Sequence, residues 1–356
     1  MDRRRFRAPE LREFMVGVLT HYGVPDDDAA LGADVLVDAD LSGIDTHGIA
    51  NFVWHVHYAP GLKDGTVAPR PEIAVLRDSP VAASWDSGRG FGPIVAHRAM
   101  SAAIEKASVA GIGMVTVRDG CHFGSTGYFA RMAASQDMIG MAMCHTAPSA
   151  IAPGGRDKVT GTNPLAVAAP VAGHHPFAFD MATTAAAGTR VLFARRHGAS
   201  IPSGWAVDAD GRVTTDPEAY ADGGALVPLG WAEGAGHKGY GLALVVDILS
   251  GVLSGTGSGL FQTFGPQWRQ GYWMAAWRVD AFTDLAAFKV EMARMVDAIH
   301  ASRPAAGESS VLVPGDRGAA SRVRRALDGI PLDDEIVRMC ESFAGDTGIR
   351  FPEPMT

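Results

Sequence analysis

One segment decides how this sequence is interpreted: GHKGYGLALVVDILSGVLSG, residues 236–255. A glycine-rich polar turn leads directly into residues 242–253, which are almost all Leu, Val, Ile or Ala, so we expect a helix buried on most sides. Free N–H groups and the positive dipole end beside His237 and Lys238 favour an anion such as phosphate or pyrophosphate. The alternative is a core helix that merely begins with a glycine-rich loop.

The same turn matches the pattern G-x-G-x-x-G at Gly234, Gly236 and Gly239. A Rossmann site needs that pattern directly after a hydrophobic strand, with an acidic residue about 20 positions later. Residues 228–233 make a poor strand, and the later position is Gly259. The pattern therefore does not predict a Rossmann fold, although anion binding does not depend on one.

Composition limits the possible classes of protein. The chain has 356 residues, 47% of them hydrophobic, and a net charge of −8, which predicts a large core and argues against nucleic acid or an anionic membrane as partners. We expect no signal peptide and no membrane span. Three cysteines fit a reducing, cytoplasmic location without disulfides. The Cys121–His122 and Cys144–His145 pairs lack the spacing of zinc ligands, so no metal site is predicted.

The order of the apolar segments predicts an α/β fold with a mixed sheet. We expect three N-terminal helices, at residues 9–22, 26–41 and 47–58, and later helices at 92–110, 125–134, 284–299 and 331–344. Residues 194–228 are predicted to form a surface loop excursion and residues 255–270 a second loop. The predicted strands are residues 73–76, 82–84, 113–117, 139–143, 166–169, 177–179 and 272–279.

Three polar side chains share one face of the third predicted helix. His47, Asn51 and His55 lie at i, i+4 and i+8, which predicts that the face lines a cleft. A neutral imidazole is suited to proton exchange with a substrate, and Thr46 could hydrogen-bond to it. The alternative is that Thr46 caps the helix and the histidines are solvated.

Three polar turns follow predicted strands, where α/β folds often bind ligands. They are His122-Phe-Gly-Ser-Thr126, Gly161-Thr-Asn-Pro-Leu165 and Asp180-Met-Ala-Thr-Thr184. Each could be an isolated turn with side-chain caps. Together with the glycine-rich turn at residues 236–239, they favour one shared pocket.

These motifs, in this order, resemble the malate/L-lactate dehydrogenase type 2 family, which includes ureidoglycolate, sulfolactate and 2,3-diketogulonate enzymes and cyclic imino acid reductases. The similar segments are Asp45-Thr-His-Gly-Ile49, His122-Phe-Gly124, Gly154-Gly155 with Gly161-Thr-Asn-Pro164, Asp180-Met-Ala-Thr-Thr184, Gly236-His-Lys-Gly239 and Val313-Pro-Gly-Asp316.

The resemblance implies a non-Rossmann, three-layer α/β/α fold with a mixed seven-stranded sheet, usually as a homodimer. Residues 1–72 would form a helical part with residues 300–356, and residues 73–299 the dinucleotide-binding domain. The implied reaction is hydride transfer between NADH or NADPH and a 2-oxo acid, or a carboxylated cyclic imine.

The resemblance also implies roles for individual residues. His47 would be the proton donor, oriented by Thr46, whereas one branch of the family uses the residue matching His122 instead. Thr162, Asn51 and His55 would face the substrate. The cofactor-binding residues would be His122, Phe123, Gly124, Ser125, Thr126, Asp180, Met181, Ala182, His237, Lys238, Val313, Pro314, Gly315 and Asp316.

The chain departs from the family pattern at Asn51, where an arginine commonly binds the substrate carboxylate. Asparagine cannot make that charge-assisted fork, so either another cation takes the carboxylate or the substrate is unusual. The candidate cations are Arg156, Lys158 and Arg190. His55 stands for a common tyrosine and His145 for an asparagine. Two other functions stay open: a Schiff-base enzyme using Lys238, and a catalytically silent dinucleotide-binding homologue.

Overall fold

A computed structural model describes residues 4–355, which form one seven-stranded sheet, one small five-stranded sheet and a helical part. The strands are β1 (Arg4–Phe6), β2 (Ala74–Asp78), β3 (Ala82–Asp86), β4 (Ile112–Gly120), β5 (Met138–Cys144), β6 (Ala150–Ile151), β7 (Lys158–Thr160), β8 (Leu165–Ala169), β9 (Phe177–Met181), β10 (Ala206–Val207), β11 (Val213–Thr214), β12 (Ala225–Leu226), β13 (Gln270–Arg278) and β14 (Ile330–Leu332).

The α-helices surround the large sheet and build the helical part. They are α1 (Ala8–His21), α2 (Asp26–Leu41), α3 (Ile49–Trp54), α4 (Ala59–Asp64), α5 (Gly92–Ala110), α6 (Thr126–Ala134), α7 (Gly188–Arg196), α8 (Pro217–Ala221), α9 (Gly236–Val246), α10 (Leu285–His300), α11 (Asp316–Asp328) and α12 (Asp334–Thr347). A π-helical turn (Asp247–Val252) extends α9, and short 3₁₀ turns lie at Gly259–Phe261 and Val279–Ala281.

The large sheet confirms the predicted fold class. Its strand order is β2-β3-β4-β13-β5-β8-β9, and all seven predicted strands are in it. Only β3 and β4 pair in parallel, because β13 inserts antiparallel between β4 and β5. A Rossmann sheet is parallel throughout its core, so this mixed order excludes one.

Helices cover both faces of the large sheet. Helices α5 and α6 pack on one face, while α9 and its π-helical extension pack on the other through Val246, Met143 and Trp273. Glycine permits the close approach on the first face. A Cβ at Gly113 would overlap the backbone of α5, and one at Gly140 would overlap the backbone of α6.

The N- and C-terminal segments share one core. Strand β1 pairs antiparallel with β14, and α12 packs against α1 and α3. Side chains from both ends of the chain lie in the same buried cluster, including Phe6, Phe14, Ile330 and Ile336. This helical part supports the segment that precedes α3, where several predicted site residues lie.

The predicted third helix, residues 47–58, is wrong in its extent. The structure has two short helices, α3 and α4, and His55 between them is extended, with φ −84° and ψ 134°. Pro60 lies in the first turn of α4 instead of ending a helix, which suits its fixed φ and missing N–H. Burial of His57 and Tyr58 against distant residues overrides the local helical pattern.

Two other predictions also need correction. Residues 194–228 are not only a loop excursion, because β10, β11 and β12 join β6 and β7 in the small sheet. Two-residue strands are too short to show a periodicity of two. The helix after the glycine-rich turn is not buried on most sides, since six apolar residues of α9 and its extension are exposed: Leu242, Leu244, Val245, Ile248, Val252 and Leu253. Within residues 4–355, no helix combines the length and the apolar character needed to cross a membrane.

Candidate active site

Four histidines from two separate parts of the chain form one cluster. His47 precedes α3, His55 and His57 lie between α3 and α4, and His122 follows β4. The centroid of the His122 ring lies 4.7 Å from that of His55 and 5.5 Å from that of His47. The His55 and His57 ring centroids are 5.4 Å apart. The structure thus brings together three histidines that the sequence predicts at the site, and adds His57.

His122 is fixed by hydrogen bonds on both sides. Its Nδ1 lies 2.5 Å from the Tyr58 hydroxyl and accepts the Gly124 N–H at 3.3 Å. Its own backbone N–H donates to Nδ1 of His57 at 3.0 Å. Tyr272 donates its hydroxyl proton to the carbonyl of Cys121, which anchors the residue before His122. These contacts hold the ring rigidly.

A loop residue closes the cluster from the other side. Trp268 stacks on His57, with ring centroids 5.2 Å apart and an interplanar angle of 20°, and lies 5.9 Å from His55. Trp268 is 3% exposed, and it belongs to the loop predicted at residues 255–270. The loop therefore excludes water from the histidines.

Burial keeps these imidazoles neutral. It lowers the pKa of His55 to about 3 and that of His57 to about 4, and it lowers the pKa of His122 well below its ordinary value. Burial also lowers the pKa of His47, but the negative charge of Asp180 acts in the opposite direction. Asp180 thus favours the charged form of His47, as Asp64 does for His57.

The segment carrying Thr46 and His47 is pinned by a buried acid. The Thr46 hydroxyl lies 2.8 Å from His47 Nδ1, and Asp40 accepts the Ile49 N–H at 2.8 Å. Gly48 is required there, because a Cβ would overlap the Asp40 carboxylate. Burial raises the pKa of Asp40 to about 8. The predicted role of Thr46 as a helix cap is not observed; its hydroxyl bonds to His47.

Asn51 faces a different space from His55, so the predicted single stripe is wrong. Asn51 lines a shallow open cleft between α3 and α7, with a cavity volume of about 30 Å³, together with Thr46, Trp54, Thr189, Phe193 and Arg196. Arg196 supplies a cation there and also pairs with Glu335 at 3.3 Å. Of the cations predicted from the sequence, Arg156 instead pairs with Asp210 and Lys158 lies over the Tyr220 ring, while Arg190 is exposed on α7.

The other predicted polar turns hold the sheet ends together. Asp180 accepts the Ser125 hydroxyl at 2.9 Å and the Gly127 N–H at 2.7 Å, so its carboxylate occupies the N-terminus of α6. Thr162 accepts the Thr183 N–H at 2.9 Å through its carbonyl. Asn163, which the sequence prediction passed over, donates from Nδ2 to the Ala243 carbonyl of α9 at 2.9 Å.

The two helix N-termini differ in a way that bears on cofactor binding. Asp180 fills that of α6, whereas α9 has no side-chain cap, and His237 and Lys238 are exposed in its first turn. A helix N-terminus without a side-chain cap, beside an exposed lysine, fits a phosphate or pyrophosphate, and of its N–H groups that of Lys238 donates to the Ala235 carbonyl at 2.9 Å. A second predicted cofactor segment, residues 313–316, turns around Asp316, which bonds to His175 and His300 at 3.0 and 2.8 Å.

His145 lies apart from the histidine cluster. His145 is buried and accepts the Gly271 N–H at 3.1 Å, away from the cleft beside Asn51. Among residues 4–355, no group of three or more His, Cys, Asp or Glu side chains is arranged to hold a metal ion. All three cysteines are free and buried.

Comparison with known proteins agrees with this geometry. The sequence pattern described as malate/L-lactate dehydrogenase matches residues 6–340. The chain belongs to the malate/L-lactate dehydrogenase family. It is 38% identical to malate dehydrogenase of Pyrococcus abyssi, over 98% of this chain and 97% of that protein. It is 33% identical to the NAD(+)-dependent ureidoglycolate dehydrogenase of Escherichia coli K12, over 92% of both.

A solved structure shows the same fold. Sulfolactate dehydrogenase of Methanocaldococcus jannaschii superposes with a TM-score of 0.88 at 35% identity, covering 98% of each chain. The predicted family, the predicted fold and the prediction of a nicotinamide-dependent oxidoreductase are therefore confirmed.

Proposed function

We propose that this enzyme interconverts a 2-oxo acid and its 2-hydroxy acid, with His47 exchanging the proton at the substrate oxygen. The observation that carries the proposal is the Thr46–His47 pair inside a buried histidine cluster, 2.8 Å between Oγ1 and Nδ1. The hydroxyl fixes the ring so that Nε2 is available to the substrate. Asp180 favours the imidazolium that forms when the alcohol loses its proton.

The cofactor is proposed to be NADH or NADPH, with its phosphates at the open N-terminus of α9. Lys238 and the uncapped N–H groups would hold them, and the bound nicotinamide would supply or accept the hydride. The negative charge of Asp180 would repel a phosphate, so we expect Asp180 to contact a hydroxyl or amide group of the cofactor. The choice between the two cofactors depends on residues that contact the ribose.

The substrate carboxylate is proposed to lie in the cleft between α3 and α7. Arg196 provides the positive charge that Asn51 lacks, and both side chains line the same space as Thr46. A guanidinium can grip a carboxylate with two hydrogen bonds. The pairing of Arg196 with Glu335 holds it partly exposed at the cleft wall.

A homodimer working in the cytoplasm is also part of this proposal. The exposed apolar residues of α9 and its π-helical extension, from Leu242 to Leu253, form a surface that a second copy could cover. Three free, buried thiols fit a reducing compartment.

The test is a panel of 2-oxo acids and carboxylated cyclic imines, monitored by loss of nicotinamide absorbance with each reduced cofactor. We expect turnover with a 2-oxo acid and none when cofactor is omitted. Turnover with cyclic imines alone would show that the substrate is a carboxylated cyclic imine instead of a 2-oxo acid. Trapping of Lys238 by borohydride plus substrate would support a Schiff-base enzyme instead. Cofactor binding without any turnover would support a silent homologue.

A further inference from the structure

Three of the four clustered histidines accept a backbone N–H at Nδ1. The His57 N–H donates to His55 at 3.1 Å, the His122 N–H donates to His57 at 3.0 Å, and the Gly124 N–H donates to His122 at 3.3 Å. A backbone N–H can only donate, so each of these Nδ1 atoms must carry a lone pair. A neutral ring of that kind has its proton on Nε2.

His47 is the exception in the cluster. The partner of its Nδ1 is the Thr46 hydroxyl, which can donate or accept. His47 can therefore carry a proton on Nδ1 and gain or lose one at Nε2 without breaking a backbone hydrogen bond. Protonating His122 would place an N–H against the Gly124 N–H and against a hydroxyl proton.

Tyr58 strengthens the restriction on His122. Its hydroxyl lies 2.5 Å from Nδ1 of His122, and its ring is fully buried, packed edge-on against Phe91. Burial raises the pKa of Tyr58 well above its ordinary value, so the hydroxyl keeps its proton. Because the Gly124 N–H requires a lone pair at Nδ1 of His122, the hydroxyl donates to that atom. The side chain is thus a positioning residue that holds the lone pair of His122.

We propose that Tyr58 and the Gly124 N–H lock His122 in its Nε2–H tautomer, so that His122 stabilises the substrate oxygen with a fixed hydrogen bond while His47 alone exchanges the proton. This inference rests on the proposed reduction of a 2-oxo acid. In that direction the hydride adds to the carbonyl carbon, the π electrons move to oxygen, and the oxygen takes the proton from Nε2 of His47. His122 keeps its proton, because losing it would leave an imidazolate.

The titratable groups that act on His122 are His47 before α3, and His55, His57 and Tyr58 between α3 and α4. Charged groups further out act through the other rings: Asp180 on β9 acts on His47, and Asp64 on α4 and Arg269 before β13 act on His57. The lock therefore predicts one acid–base ionisation in the rate profile, that of His47.

Matched substitutions at His122 show whether this residue acts as a hydrogen-bond donor or exchanges a proton. His122→Gln keeps an N–H donor that cannot titrate, so it should retain more kcat than His122→Ala and leave the pH profile unchanged. His122→Ala should lose roughly 10²–10³-fold in kcat, as for removal of one donor to a developing oxyanion. Equal losses in both variants, with disappearance of an ionisation, would overturn the proposal.

The role of Tyr58 is tested by Tyr58→Phe, which keeps the ring packing. We expect about a tenfold fall in kcat and a second ionisation in the pH profile, because the Gly124 N–H, at 3.3 Å, is then the single remaining donor that holds the lone pair at Nδ1 of His122. Nitrogen NMR of the ¹⁵N-histidine-labelled protein should show His122 as the Nε2–H tautomer across neutral pH in the wild type, and a mixture in Tyr58→Phe. A protonated Nδ1 in the wild type would refute the lock. This readout needs no substrate, so it stands even if the proposed reaction fails.

Discussion

The histidine cluster and helix α9 are built in opposite ways. In the cluster, buried rings are held by Tyr58 and by backbone N–H groups, one of which, that of His122, lies 65 positions from the ring that it contacts. Helix α9 leaves its N-terminus uncapped and much of its apolar surface exposed. The difference fits the proposal that one subunit forms the proton-exchange site, whereas α9 would be completed by the cofactor at one end and by a second copy along its side.

The largest effect is expected within the cluster. His47→Ala should lower kcat by roughly 10²–10⁴, because it removes the proposed general acid–base group. Cofactor affinity, measured by titration of nicotinamide fluorescence, should not change. If His122→Ala abolishes turnover while His47→Ala does not, the two roles are reversed.

The next prediction concerns the cleft between α3 and α7. Arg196→Ala should raise KM for a 2-oxo acid by about 10- to 150-fold, the equivalent of one charge-assisted hydrogen bond. The neighbouring Arg195, which pairs with Glu218 at 2.8 Å, supplies the control Arg195→Ala. Adding Asn51→Arg to Arg196→Ala should recover binding. If Arg195→Ala raises KM as much as Arg196→Ala does, the substrate carboxylate does not bind at Arg196.

The exposed surface of α9 gives a prediction about assembly. Val245→Asp puts a charge on a side chain that is 47% exposed at the proposed dimer surface, so we expect dissociation to monomers in sedimentation velocity. Val290→Asp on α10, at a side chain 62% exposed, is the matched control and should remain dimeric. If the wild-type protein is already monomeric, the proposed dimer is wrong.

The last prediction is a pH dependence of stability at Asp40, which lies outside the proposed site. Its pKa rises from 3.8 to about 8 on folding, so the folded state binds this proton more tightly than the unfolded state. The resulting stability is complete below about pH 4 and is lost as pH rises toward 8. In urea unfolding, the free energy of unfolding of Asp40→Asn should therefore rise relative to that of the wild type as the pH increases. Asp34→Asn on the same helix, at a more exposed acid, should show no such trend.

The seven strands were predictable because each is a compact apolar run between turn residues. The residue types and their local order also single out the glycine-rich turn, His47 and His122, and the structure brings the two histidines together. The partners of the histidines were not, because Tyr58 and His122 are 64 positions apart and meet only in the folded chain. The run His55-Val-His57-Tyr58 offered a signal in its unusual density of imidazoles.

The exposure of α9 was missed for a related reason. An apolar helix looks the same in sequence whether its own subunit or a second one covers it. Arg196 was passed over because its distance along the chain from Asn51 hides their common cleft. In both cases the local sequence does not carry the deciding information.

The central claim is that α9 binds the cofactor and that His47 exchanges the proton. The most direct test measures cofactor affinity and turnover side by side in Lys238→Ala and His47→Ala. Lys238→Ala should weaken dinucleotide binding by about 1.5–3 kcal/mol and still turn over at saturating cofactor. His47→Ala should bind cofactor as the wild type does and lose turnover. Unchanged cofactor affinity in Lys238→Ala, or weakened affinity in His47→Ala, would contradict the account.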